Sequence, residues 1–442
     1  MLLGQDTMRG LLEGALARAA PCDGEGLIEA SRASVTRFAS NRIHQNVAEE
    51  NTGASFRAVS GKRIGGARTN GRDPERLGAC ASQAAEIAQL QSEDEAFPGL
   101  VASPRARDAA QFDREIANLT PEARAGAVRE VVSRVEAAGL EASGALTVSA
   151  DELVIGNTLG TFQYHPSTYA QLHVVARSGG AEGAGTSTSG AWSGIDPAAV
   201  AEEAIRKCAS SKDPVAVGPG EWVVVLESEA VADMIDLLAY MGLGGLAFVE
   251  DRSFLCGKIG ERICGETITL VDDPFDARGP VHPFDYEGVP KEKVVLIEKG
   301  VARTPVYDTR TAARAGTKTT GHALPEPNTF GPYPLNMALE PGDATLDEMI
   351  ASTERGILVS RFHYTNPVDP RRTVITGMTR FGTFLIEGGQ VTKAVRSMRF
   401  TDSVLDALSR VEALGRDAKR VDDVLAPPMK LSSWRFTGVT GE

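Results

Sequence analysis

Residues 35–70, VTRFASNRIHQNVAEENTGASFRAVSGKRIGGARTN, turn from helical to strand-like patterning and set the fold class. Short runs with period-two character are broken by Asn51-Thr52-Gly53 and Ser60-Gly61-Lys62, as expected of half-buried strands punctuated by turns. Phe56, Ala58 and Val59 lead into the Ser60-Gly61 turn and Arg63-Ile64 lead out, so the spacing predicts a hairpin. The stretch 73–91 that follows, DPERLGACASQAAEIAQLQ, reads as a helix with Asp73 as its N-cap and Pro74 at the first helical position. Residues 91–113 are rich in proline, serine and charge and read as a linker. In LTPEARAGAVREVVSRVEAAGL, residues 119–140, Thr120 and Pro121 open a second capped helix. Strand, strand, then helix is an α+β arrangement.

Further on, residues 145–165 and 169–179 alternate again and predict a second antiparallel set. SGGAEGAGTSTSGAWSG, residues 178–194, is dense in glycine and serine and reads as a mobile or substrate-covering loop. Asp196 caps a third helix, and Pro214 to Gly220 forms a joint suited to a domain boundary. Beyond it come a strand, GEWVVVLES, an apolar helix, AVADMIDLLAYMGL, and then mostly strand and turn. VVLIEKGVART (294–304) and TFLIEGGQVTKAV (383–395) share a hairpin pattern and suggest paired meanders in one sheet system. The division expected is an N-terminal α+β unit at 1–110, a central α+β unit at 111–217 and a strand-rich antiparallel unit at 218–442.

The 442 residues suffice for two or three domains with a sizeable core. Lys and Arg number 46 against 59 Asp and Glu, a net charge of −13, which repels phosphate backbones and argues against nucleic acid. Cys22, Cys80, Cys208, Cys256 and Cys264 are an odd, sparse set and read as reduced thiols in a cytoplasm. Gln5, Asp6, Arg9 and Glu13 interrupt the N-terminal apolar run, so it reads as an amphipathic helix and not a signal peptide. Nothing approaches the ~18 apolar residues that a membrane-spanning helix requires.

Local chemistry is sparse. Lys258 follows a glycine, but the phosphate-loop spacing is absent; the glycines near 60 and 242 lack the dinucleotide fingerprint. LVDDPFDARGPVHPFDYEGVP (270–290) gathers Asp272, Asp273, Asp276, Asp285 and Glu287 around His282. Such a group could hold a divalent ion or act as acid and base, or it could be a loop in which Asp272 and Asp285 cap local amides. Thr320 beside His322 could supply a nucleophile, though a Thr-Gly turn is the plainer reading. Cys256, Cys264 and His282 could offer three zinc ligands, but seven residues separate the thiols where structural sites use tight pairs. His44, His165, His173 and His363 stand alone and are assigned packing or hydrogen-bonding roles.

As an ordered set, NTGASFRAVSGKRIGGA (51–67), SFLCGKIGE (253–261), TLVDDP (269–274), PFDYEGVP (283–290), TAARAGTKTTGHA (311–323) and TGMTRFGTFLIEGGQV (376–391) resemble the TldD/PmbA proteins from about Ser34 to about Gly438. The resemblance implies a two-part α+β fold, a dimer around a central cavity, and cytoplasmic proteolysis of unfolded or modified peptides. Its catalytic members carry His-Glu-x-x-x-His on a helix before the Ser-x-Leu/Phe block, with both histidines and a late cysteine on zinc and the glutamate as base. In the favoured register those positions fall in DLLAYMGLGGLAFVEDRSFL (236–255), at Ala239, Tyr240 and Gly244. No histidine lies between His173 and His282, and no cysteine follows Cys264. This departure matches the TldE/PmbA branch, which implies no catalytic residue, metal ligand or cofactor in this chain and zinc in a TldD-type partner.

Partners expected on that resemblance are a TldD-type catalytic subunit, or a second copy in a homodimer, and peptide. The peptide-groove or architectural candidates are Gly257, Gly260, Glu261, Asp285, Glu287 and Gly288, which recur in both branches of the resembled family, together with His322 and Arg380. The alternative is a homodimeric hydrolase using His282–Asp285–Glu287 or Thr320–His322. A DNA-topology partner is a third reading, disfavoured by the charge.

Overall fold

The computed structural model of the chain describes residues 2–109 and 111–439. The expected boundary at residue 110 therefore lies outside the described residues. The fold is α+β. Strands β1 (Asp23–Ala39), β2 (Arg42–Ser60), β3 (Arg63–Asn70), β4 (Glu141–Asn157), β5 (Phe162–Ser178) and β6 (Ala181–Ser189) form one sheet in the order β3-β2-β1-β4-β5-β6. The predicted hairpin is the β2–β3 turn, with Ser60 opposite Arg63. Long antiparallel pairing of β1 with β4, from Glu25↔Asn157 to Phe38↔Gly144, carries the sheet across the two expected N-terminal units.

Helices α1 (Gln5–Leu16), α2 (Pro74–Leu90), the single turn α3 (Arg114–Ala117), α4 (Pro121–Ala137) and α5 (Pro197–Ser210) accompany that sheet. Asp73, Thr120 and Asp196 cap α2, α4 and α5 as predicted, each accepting a first-turn N–H. Ile28, Ala30 and Val154 pack with α1 and α2, while Leu146 and Val148 pack with α4 and α5. All five residues are even-numbered, so period-two alternation puts both helix layers on one face. The opposite face presents Glu25, Leu27, Leu153 and Ile155, and onto it docks Phe284 with Tyr286 from the C-terminal part.

The glycine-rich stretch predicted to be a mobile loop is instead the edge strand β6, paired along its length with β5. A Cβ on Gly183 or Gly185 would overlap the backbone of α5. These glycines permit close helix-on-strand packing, a use that composition alone does not distinguish from flexibility.

The C-terminal part adds β7 (Gly220–Leu226), α6 (Ser228–Gly242), α7 (Gly245–Val249), β8 (Leu270–Asp272), β9 (Val294–Glu298), β10 (Val301–Ala302), α8 (Thr309–Ala315) and β11 (Met337–Leu339). Then come β12 (Arg355–Asp369), β13 (Val374–Glu387), β14 (Gln390–Ala394), β15 (Met398–Ser403), β16 (Val411–Leu414), β17 (Lys419–Val421), β18 (Val424–Ala426) and β19 (Met429–Val439). One sheet runs β10-β9-β8-β11-β18-β17 and another β12-β7-β19-β15-β13-β14, with β12 also pairing β13. That last pairing closes β12, β7, β19, β15 and β13 into a ring around Phe362, Phe400 and Trp434, whose ring centroids lie 4.4 to 5.5 Å apart. The two similar hairpins, β9–β10 and β13–β14, belong to different sheets and not to one system as expected. The sheets are mainly antiparallel, with parallel contacts at β7–β12 and β11–β18.

Helix α6 packs on β12 of one sheet and β18 of the other. Sandwiched in this way it buries Val231, Met234, Ile235, Leu238 and Ala239, leaving only Asp236 and Tyr240 clearly exposed. Among the described residues no helix is long and apolar enough to cross a membrane.

Candidate functional site

The exposed strip of α6 borders a cleft. Tyr240 stacks on Phe330 at 5.4 Å, and Phe330 meets Tyr333 at 5.6 Å. The Tyr333 hydroxyl donates to Asp236 Oδ1 at 2.8 Å. Tyr240 and Phe330 line a cavity of about 510 Å³ that also carries the Arg371–Asp251 pair at 2.9 Å. An aromatic floor with paired charges beside it suits an extended apolar or backbone segment. A second cavity, about 490 Å³, shares Thr329 with the first. A third, about 350 Å³, shares Arg57, Ile64 and Glu326 with the second. The three follow one another along the segment 326–331.

Zinc does not fit the residues present at the α6–α7 junction. Ala239 is buried in the core and Tyr240 is half exposed in the cleft, and neither offers the nitrogen, sulfur or carboxylate oxygen that zinc takes. At Gly244, the N-cap of α7, any Cβ would overlap the carbonyl of Pro332. In the register that the resemblance favours, backbone thus fills the space where a ligating side chain would start. Among the described residues no three His, Cys, Asp or Glu side chains converge on a point where a metal ion could sit. Cys256 is half-buried and its thiol donates to Phe248 O at 3.5 Å; Cys264 is buried, which pushes its thiol up to about 12.

Four of the predicted positions meet in one buried node. Asp285 accepts three backbone N–H groups, from Glu287, Val289 and Ala323, each at 2.9 Å. Burial and the neighbouring Glu287 push its carboxyl up against the pull of those amides. Glu287 accepts from Thr309 through N–H at 3.1 Å and Oγ1 at 2.8 Å. Gly288 has φ 74° and its carbonyl accepts from Gln163 Nε2 at 2.9 Å. His322, 1 % exposed, places Nε2 3.0 Å from Asp272 Oδ1. Lys291, absent from the sequence-based candidates, sits 3.5 Å from the same oxygen and donates to Asn336 Oδ1 at 2.7 Å. Burial opposes the charge on Asp272, but Lys291 and His322 outweigh it and hold the carboxyl well below its usual range. Burial and Lys291 depress His322, and the same causes take His282 down to about 3.

His282, Asp285 and Glu287 form no acid–base triad: the two carboxylates are satisfied by amides, Thr309 and Arg57, while His282 Nδ1 lies against Asn336 at 3.1 Å. Thr320, His322 and Asp272 lie in series, with Thr320 Oγ1 3.0 Å from His322 Nδ1, but Nδ1 is also 2.8 Å from the Thr320 carbonyl, which can only accept, so the ring nitrogen donates there. The Thr320 hydroxyl also accepts the Tyr307 N–H at 2.7 Å, and none of the three residues lines the cavities described above.

Other candidates lie elsewhere. Gly257 and Gly260 take φ 73° and 84° in an exposed turn, where Gly260 N–H donates to Ala302 O at 2.8 Å. Glu261 is exposed beside them, its carbonyl accepting from Ala302. Arg380, on β13, reaches His363 at 2.8 Å and Glu182 of β6 at 3.7 Å, so it ties two sheets together.

Sequence reasoning missed Glu25 and Arg57. They face each other across β1 and β2, 2.8 Å apart, and Arg57 also approaches Glu287 at 3.6 Å and Glu326 at 3.7 Å. A motif search has no access to a pairing set by strand register over such separations, and both strands carry many other polar residues, so neither side chain stood out.

Comparisons with known proteins agree with this architecture. Three family models match: the PmbA/TldA metallopeptidase domain 1 at residues 25–88, the central domain at 108–211 and the C-terminal domain at 219–438. The metalloprotease TldD homolog of Haemophilus influenzae is 28% identical over 383 residues, covering 81% of this chain and 78% of that protein. The metalloprotease PmbA of Escherichia coli O157:H7 is 23% identical over 324 residues, 69% of each. The crystal structure of TldE from Thermococcus kodakarensis superposes with a TM-score of 0.87 at 24% identity, covering 98% of this chain and all of that one (100%).

Proposed function

The chain belongs to the PmbA/TldD metallopeptidase family, and from that membership we propose that it is the non-catalytic subunit of a cytoplasmic TldD-type metalloprotease acting on unfolded or modified peptides. One observation carries the reading: Ala239, Tyr240 and Gly244 stand where zinc ligands and base are expected, and the Pro332 carbonyl fills the direction a side chain at 244 would take. Hydrolysis then comes from a TldD-type partner that brings the zinc, and this subunit contributes chamber wall. The Tyr240–Phe330 cleft and neighbouring strand edges hold extended peptide through apolar contact and backbone pairing.

Metal content, native mass and peptide hydrolysis, measured with and without a TldD-type partner, test the reading. The chain alone is expected to hold no stoichiometric zinc and cleave no peptide, and mixing is expected to give a heteromeric complex with activity. Equimolar zinc or hydrolysis by the chain alone overturns it. The Thr320–His322–Asp272 alignment favours a second reading, a self-sufficient hydrolase. Activity of the chain alone, abolished by Thr320→Val with folding retained, would establish that instead.

A further inference from the structure

Strands β1, β2 and β3 and the segments carrying Tyr286 and Glu326 wall the cavity of about 350 Å³ on the open face of the first sheet. Its lining carries two carboxylates, Glu25 and Glu326, and two guanidiniums, Arg57 and Arg68, but their hydrogen bonds are unevenly matched. Arg57 is the one guanidinium among Glu25, Glu287 and Glu326, at 2.8, 3.6 and 3.7 Å. Glu25 is 6 % exposed, and only one of its oxygens is engaged: Oε1 pairs with Arg57, while Oε2 is buried without a partner. Arg68, at the rim, is directed to the backbone carbonyl of Glu326 and not to a carboxylate. Glu287, which approaches Arg57 from outside the lining, adds a third carboxylate to this buried group. An orphaned buried carboxylate oxygen is costly unless something donates to it.

We propose that this cavity is a subsite for a primary ammonium group, the α-amine of a peptide or a lysine side chain. An ammonium carries three donors on a compact charge, enough to reach Glu25 Oε2 and the Glu326 carboxylate together. Leu27 and Tyr286, which also line the cavity, supply apolar surface for the carbon stem. A divalent metal is the poorer match, because these carboxylates surround Arg57 and no ligating triad forms among the described residues. The subsite rests on the peptide-handling reading above and would fix where one end, or one lysine, of a bound chain lies.

Calorimetry with three peptides tests it: Ala-Ala-Ala-amide with a free α-amine, its N-acetyl form, and N-acetyl-Ala-Lys-Ala-amide. Binding of an amine-bearing peptide at least tenfold tighter than the fully blocked one is expected, and the peptide that binds identifies the source of the ammonium. Glu25→Gln is expected to remove that preference. Glu326→Gln, on a side chain 43% exposed, repeats the test should the first variant not fold. Equal binding of blocked and free peptides, no binding of either amine, or a preference that survives in both variants overturns the subsite. Failure of the subunit role is read separately: a chain that binds amine yet never activates a TldD-type partner keeps the subsite and loses the role.

Discussion

At the scale of single residues, Gly244 shows how packing forecloses chemistry. Its φ of −86° suits any amino acid, so only the overlap with Pro332 O excludes a side chain. Gly244→Ala is expected to cost about 1–3 kcal/mol, the usual penalty for overpacking, read as a lowered urea midpoint. His165 offers a pH-dependent test. Burial takes its imidazole down to about 4 from 6.5. A base depressed on folding stabilises fully above its unfolded pKa, and that stability is lost as pH falls from about 6.5 to about 4. The gap of about 2.5 pKa units corresponds to at most about 3 kcal/mol. His165→Gln is accordingly expected to lose less stability than the parent between pH 7 and pH 4.5, and an identical loss in both proteins contradicts the assignment. Glu25 works in the opposite direction, since burial raises it to about 7; the comparison of variant with parent is what isolates His165.

Elements differ in how far their residues announced them. The helices capped by Asp73, Thr120 and Asp196 and the hairpin through Ser60-Gly61 were legible because each rests on local rules of capping, proline placement and alternation. Strand β6 was not, because Gly183 and Gly185 answer to the approach of α5, a contact from outside the strand. The separation of β9–β10 from β13–β14 was likewise hidden, since two similar hairpins carry no record of which neighbours they pair with. In the candidate site, Asp285 and His322 were visible as residues, whereas Lys291, Asn336 and Arg57 became relevant only when the register brought them within reach. Helix α6, apolar nearly all round because it lies between two sheets, is also where mutation should spread furthest. Ile235→Ala, at a fully buried position, is expected to cost about 2–5 kcal/mol. Loss of amide protection in both β12 and β18 by hydrogen exchange is the signature to look for; loss in one sheet alone contradicts the sandwich.

For the whole molecule, β1 is the seam. Its pairing with β2 on one side and β4 on the other joins the Met8–Leu77 core to the Val128–Leu172 core. The covalent route between them runs through residues 91–109, an irregular stretch in which Arg105 and Arg107 are exposed. A tryptic nick after Arg107 should therefore leave both pieces co-eluting as one particle, held by strand hydrogen bonds and by the packing of Leu27 and Arg57 against the C-terminal part. The same logic makes the molecule divisible at the gene: two separately expressed fragments meeting at that stretch would have to rebuild the β1–β4 ladder together with the contacts of Leu27 and Arg57 to the C-terminal part, and a fragment-complementation assay could be built on it.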